Sequence, residues 1–275
     1  MVNDVHVAPP APPRWYESLF IAVGAPFTAV GRELRGDVAL AFAALGAIFR
    51  GAAGRRAVVQ QAYAVGNRSL FFITATLGFL GLISVYQVAT QIQQILPDFS
   101  MLGAAFIQLM IREFAPTITG LMIATRVGSG IAAEIGSMVV TEQVDALRMC
   151  NADPVEYLVA PRVLGSVVMV PMLSIYAVLV ATLAGMALGH AVFDIPTQTF
   201  LSLRLVKGPD IVLGLVKAVS YGFWIPIVAA HAGLSATGGS AGVGWATTRA
   251  VVATSFAVVL LDFVISGASY VIFSV

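Results

Sequence analysis

Charge is what this chain has least of. Its 275 residues hold 15 lysines and arginines and 14 acidic residues, 11% in all, against 59% hydrophobic residues and a mean hydropathy of +0.91. Soluble domains are nearer half apolar and a quarter charged, so this mix excludes a water-soluble globule and places the chain in a membrane. A formal net charge of +1 gives no field to gather nucleic acid, and no nucleic-acid partner is expected. Cysteine occurs once, excluding an intrachain disulfide, and Cys150 reads as a small apolar packing residue. His6, His190 and His231 are too scattered for a metal site. The only lysines, Lys207 and Lys217, stand outside any G-x-x-x-x-G-K-[ST], which excludes a phosphate-cradling loop. With no nucleophile beside a base, covalent catalysis is not expected.

The first residues, VNDVHVAPPAPP, lack the basic start, apolar run and cleavage site of a signal peptide, so the chain is expected to stay whole. Their prolines predict a disordered lead over residues 1–13, followed by one membrane domain over 14–275. Apolar residues then recur at Trp15, Leu19, Val23, Phe27, Val30 and Leu34, one face of a helix, but Arg32, Glu33, Arg35 and Asp37 interrupt the pattern. The apolar run 38–49 is shorter than the about 20 residues a crossing needs. Residues 15–50 therefore read as a helix lying in the interface, with a broken first span as the alternative. The stretch 69–95 is uncharged and long enough to span, Pro97 and Asp98 mark a turn, and further crossings fall at 101–125, 163–192, 211–236 and 246–273. The expected fold is an all-α integral membrane protein. It has five transmembrane helices, an N-terminal interfacial helix and a short cytoplasmic helix, with the termini on opposite sides.

Arginine sets the orientation. Arg14, Arg32, Arg35, Arg50, Arg55, Arg56, Arg68, Arg126, Arg148, Arg162 and Arg249 fall on one side, against Arg204 and Lys207 on the other, so the N-terminus is expected in the cytoplasm. The segment EIGSMVVTEQVDALRMCNADP, residues 134–154, is then a cytoplasmic loop between spans two and three. Ile131, Ile135, Met138 or Val139 and Leu147 form one side of a helix there. Glu142, Asp145 and Arg148 form another at i, i+3 spacing, and Pro154 ends it. Since the chain has no phosphate loop, ATP chemistry would belong to another polypeptide, and a short helix with a charged face is what a separate motor would grip. The plainer alternative is a solvated loop resting on headgroups.

Three stretches carry a resemblance: REFAPTITGLMIATRVGSGIAAEIGSMVVTEQVDALRMCNADPVEYLVAPR (112–162), DIVLGLVKAVSYG (210–222) and GVGWATTRAVVATSFAVVLLDF (242–263). They resemble the MlaE/YrbE family of permeases, the membrane subunits of ABC transporters that work with MCE-domain lipid-binding proteins. The resemblance runs from about residue 15 onward. It implies a bacterial inner-membrane permease carrying phospholipid or a related lipid, paired with a second permease subunit as a homodimer. It also implies ATPase subunits that hold ATP and Mg, and a periplasmic MCE-protein ring. By the same resemblance the loop after span two is the coupling helix, with Glu134, Glu142, Gln143, Asp145 and Arg148 facing the ATPase. This chain is expected to hold no cofactor and not to be an enzyme. In GVGWATTR, Trp245 stands where the resemblance leads one to expect an arginine.

Arg112 and Glu113 fall near the middle of span two, Lys217 a turn or two into span four, and Asp262 in the inner half of span five. A charge at the membrane centre costs about 2.5–3.5 kcal/mol, so each needs a partner or a task. Adjacent residues on a helix lie about 100° apart, and Arg112 and Glu113 are not expected to pair with each other. Glu113, Lys217 and Asp262 are expected to meet across spans two, four and five, while Arg112 faces a dimer cavity or a lipid headgroup. Neutralisation that fixes helix register is the structural alternative. An ion-coupled secondary transporter using these charges as a relay is the functional one, although the inverted repeats of that class are not evident. On span one, Leu70, Ile73, Leu77, Leu80, Val85 and Tyr86 form an apolar wall. The resemblance places the substrate cavity at the dimer interface, and Leu70, Leu77 and Tyr86 are assigned to it. Gly185 and Gly189 predict close helix packing, and Gly128, Gly130, Gly242 and Gly244 predict loop flexibility near the cytoplasmic surface.

Overall fold

A computed structural model describes residues 15–51, 53–95, 99 and 101–273, apart from the side chains of 15–27, 29, 95 and 273. The expected disordered lead and the turn at Pro97 and Asp98 lie outside these residues. The described residues form helices and no strand. In chain order these are α1 (Trp15–Phe49), α2 (Arg55–Ile95), α3 (Leu102–Val140), α4 (Gln143–Met149), α5 (Val155–Phe193), α6 (Thr197–Phe200), α7 (Gly208–Leu234) and α8 (Gly239–Phe273). Among the described residues, α2, α3, α5, α7 and α8 are long and apolar enough to cross a membrane. In hydrocarbon no water satisfies backbone N–H and C=O groups, and a helix closes its own bonds. α2 and α3 run well past the expected crossings, to Arg55 and Val140. α2 does not stop where its apolar run stops, because the arginines, glutamines and alanines of 55–68 are good helix formers.

The chain divides into two compact units, Met1–Ala39 and Leu40–Val275. α1 is continuous through Arg32, Glu33, Arg35 and Asp37, so the interrupted apolar pattern does not break its helix.

Three π-turns interrupt the long helices: Met110–Phe114 and Ala124–Gly128 in α3, and Val155–Val159 at the start of α5. Two share a local cause. Pro116 and Pro161 each follow their π-turn by two residues, in the sequences EFAP and LVAP. Proline has no N–H to donate, and its ring meets the carbonyl four residues back. Widening the turn by one residue relieves both.

Glycine sets the spacing of the crossings. An added Cβ at Gly81 would meet the Ala181 carbonyl, one at Gly214 the Ile111 carbonyl, and one at Gly222 would lie 2.7 Å from the Ser166 carbonyl oxygen. These are backbone atoms, which cannot yield as a side-chain tip does. A Cβ at Gly185 would lie 2.7 Å from Val85 Cγ2, and one at Gly189 would lie 2.9 Å from Phe200 Cζ, so α5 is packed closely along this pair. Gly81→Val is expected to cost about 1–3 kcal/mol by prising α2 from α5, read as a lower melting temperature of the purified chain in detergent. Gly128, Gly130, Gly242 and Gly244 are not loop residues, since all four lie inside α3 or α8. Helical flanks override their low propensity, and at Gly128 a Cβ would lie 3.3 Å from Thr254 Oγ1.

The apolar core has two parts. Ile73, Leu77 and Val85 of α2 pack with Val170, Leu173 and Ala177 of α5 in the first. Ile131 and Ile135 of α3 pack with Val163 of α5 and Ile227 of α7 in the second, towards the α4 end.

Candidate functional site

α7 opens with KGPDIV, where Pro209 suits a first helical turn that has no use for its missing N–H. Asp210 Oδ2 accepts the Lys207 backbone N–H at 3.1 Å, closing the helix start. The same carboxylate accepts Gln108 Nε2 at 3.0 Å and pairs through Oδ1 with Arg112 Nη1 at 3.3 Å. Asp210, Lys217 and Tyr221 share one face of α7. Lys217 is fully buried, bonds Glu113 Oε2, and pairs at 2.9 Å with Asp262 Oδ1 of α8. Thr117 Oγ1 and Tyr221 OH each donate to that Asp262 oxygen at 2.8 Å. A chain of charge therefore runs from Asp210 through Arg112, Glu113 and Lys217 to Asp262, tying α3, α7 and α8 together.

Arg112 departs from its sequence expectation twice. It is held by Asp210, a partner the sequence did not point to, and its Nε also approaches the adjacent Glu113 Oε1 at 3.6 Å. Both residues lie in the π-turn Met110–Phe114, where the regular 100° spacing does not hold. Asp262 is level with Lys217 and nearer Phe273 than Gly239, so it sits towards the C-terminal end of α8 and not in the inner half. Asp210, Gln108, Thr117 and Tyr221 are members that periodicity does not single out. A signal for Asp210 exists all the same: it is one of 14 acidic residues and stands two turns ahead of Lys217 on the same helix face.

At the other end of α3 the chain turns through Thr141 and Glu142 into α4. Glu142 has φ 60°, a left-handed conformation uncommon for a residue with a Cβ. The single helix expected through 131–148 is thus two. Ile131 and Ile135 are buried in α3, while α4 is anchored by Val144 alone. Glu142, Gln143, Asp145 and Arg148 are exposed, and Asp145 Oδ1 accepts Arg148 Nη1 at 2.9 Å. Cys150 is exposed, not packed, because the short α4 buries too little surface to cover its own end. Asp153 Oδ1 accepts the Val155 N–H at 2.9 Å and starts α5.

Glu134 lies in α3, where its Oε2 pairs at 2.8 Å with Nη2 of the buried Arg162 of α5. Arg162 Nη1 also donates to the Leu158 carbonyl at 2.5 Å. Glu134→Ala is expected to lower stability by about 1 kcal/mol in chemical denaturation, less than a fully buried pair because the glutamate is half exposed. Unchanged stability would contradict this tie.

On α2, Leu77 is fully buried in the core and lines no surface, whereas Leu70 and Tyr86 are 36% and 51% exposed. Trp245 is 77% exposed and borders an open pocket of about 350 Å³ with Ser235 and Arg249. Among the described residues no cluster of His, Cys, Asp or Glu is arranged to hold a metal ion.

The family profile described as Permease MlaE matches residues 58–268, which takes in the greater part of all five crossings and both ends of the site. The chain belongs to the MlaE permease family. Its relatives include a probable ABC transporter permease protein of Synechocystis sp., 36% identical over 80% of this chain and 84% of that protein. A probable ABC transporter permease protein of Rickettsia felis is 34% identical over 82% of this chain and 87% of its own length. The chloroplastic protein TRIGALACTOSYLDIACYLGLYCEROL 1 of Arabidopsis thaliana is 33% identical over 80% of this chain and 63% of its own. The chain is thus a multi-pass ABC transporter permease subunit, a transport component whose family implies an ATPase partner.

Proposed function

We propose that this permease moves phospholipid or a related lipid between a bacterial inner membrane and a periplasmic MCE protein. It acts as half of a homodimer, driven by a separate ATPase that binds ATP and Mg and grips α4. The observation that carries this reading is the continuity of α3. One 39-residue span holds Arg112 and Glu113 in the charge chain and ends at the exposed α4. From Glu113 to Val140 the helix rises about 40 Å, so a load on α4 reaches the residues that hold α7 and α8. Glu142, left-handed at φ 60°, is the joint at which α3 passes into α4.

Lipid as cargo is supported by the Arabidopsis relative, whose name is that of a galactolipid. The homodimer rests on the family resemblance, since the apolar surface left on α2 and α8 suits lipid as readily as a second copy. An ion relay through Glu113, Lys217 and Asp262 is disfavoured because these groups are committed to one another. The test is to isolate the chain with its ATPase, identify co-purified lipid by mass spectrometry, and follow lipid transfer to an MCE protein. ATP-dependent transfer is expected. Uptake driven by a proton gradient in the lone chain would overturn the reading.

A further inference from the structure

We propose that Arg68 of α2 and Arg126 of α3 form a site for the phosphate of an anionic lipid headgroup, in the leaflet on the arginine-rich side of the chain. The site is separate from both the charge chain and α4, and does not depend on what the permease carries. Arg126 Nη1 donates to Ser69 Oγ at 2.5 Å. Ser69 is buried, and its hydroxyl hydrogen already goes to the Val65 carbonyl at 2.6 Å, so it offers Arg126 a dipole and no charge. The residue beside Ser69 is Arg68, exposed at the same level of α2, so the guanidinium that reaches Ser69 arrives next to a second cation.

Two guanidinium groups so placed repel each other. Each carries five N–H donors. Among the described residues Arg126 spends one on a side chain and Arg68 spends none, and neither has a carboxylate in ion-pair range. Arg50, Arg112, Arg148 and Arg162 all do. What the pair lacks is an anion with several acceptor oxygens.

Depth along α2 identifies the source. Arg68 closes the uncharged run 69–95, the point at which the helix leaves hydrocarbon for the headgroup layer. Tyr63, 61% exposed, lies just beyond it and accepts Asn67 Nδ2 at 2.9 Å, an amphipathic ring of the kind that settles at that level. Lipid phosphate is the abundant anion there, and the planar guanidinium fork matches its geometry with two bonds at once.

The test uses the full chain in nanodiscs of phosphatidylcholine alone or mixed with phosphatidylglycerol, reading the melting temperature and, by native mass spectrometry, retained phosphatidylglycerol. Phosphatidylglycerol, whose phosphate charge no choline on the same headgroup balances, is expected to outbind phosphatidylcholine at the arginine pair and to raise the wild-type melting temperature. Arg68→Glu sets a carboxylate beside Arg126, so it should raise melting in pure phosphatidylcholine and remove the phosphatidylglycerol effect, with retention falling about five- to tenfold. Arg68→Gln, a neutral change at an exposed position, should weaken retention and leave the fold intact, and it decides the matter if the charge reversal does not fold. Equal wild-type melting in both lipids, or variants that keep the full effect, would overturn the proposal. Inorganic phosphate reproducing the effect in phosphatidylcholine nanodiscs would overturn it too, assigning the arginines to a free anion.

Discussion

Lys217→Met is expected to lower the stability of the membrane domain by about 3–5 kcal/mol and to abolish transport. Lys217 is fully buried and is the cation between Glu113 and Asp262; without it two carboxylates face each other inside the bundle. Lost hydrogen bonds alone would not produce so large an effect, since interhelical bonds in membranes average only about 0.6 kcal/mol. The uncompensated charges decide the outcome. Neutralising all three positions together, with Glu113→Gln, Lys217→Met and Asp262→Asn, should therefore recover most of the lost stability, because replacing a whole buried ion pair is often neutral. Melting temperatures of the single and triple variants in detergent check this. If the triple variant melts as low as the single one, lost packing and not charge is responsible.

Val144→Asp should have the opposite profile. Val144 is the one buried residue of α4, so a carboxylate there releases the helix from the end of α3 without touching the crossings. Melting should stay close to wild type while ATP-driven lipid transfer falls at least about tenfold, a rise in the activation barrier of about 1.4 kcal/mol or more. A variant that transports normally would show that α4 need not be docked on the permease.

The crossings were readable in the sequence because uncharged runs such as 69–95 admit no other structure in a chain this apolar. The meeting of Glu113, Lys217 and Asp262 was readable for the same reason, each charge being too costly to stand alone. What eluded the sequence depends on local geometry that periodicity averages out. The π-turn ahead of Pro116 re-aims Arg112 towards Asp210 and Glu113, and the left-handed Glu142 splits one expected helix into α3 and α4. Asp210 sits at a helix start, where an acidic residue is ordinary, so its second task was hidden. Cys150 is exposed against expectation because burial is a property of what packs around a segment, and little packs around α4.

Photo-crosslinkers at Glu142 and Asp145, used in a preparation that is actively moving lipid, decide whether α4 receives the work of a separate motor. Capture of a nucleotide-hydrolysing chain from both positions is expected. ATP-driven lipid movement continuing while neither position captures such a chain would contradict the role given to α4.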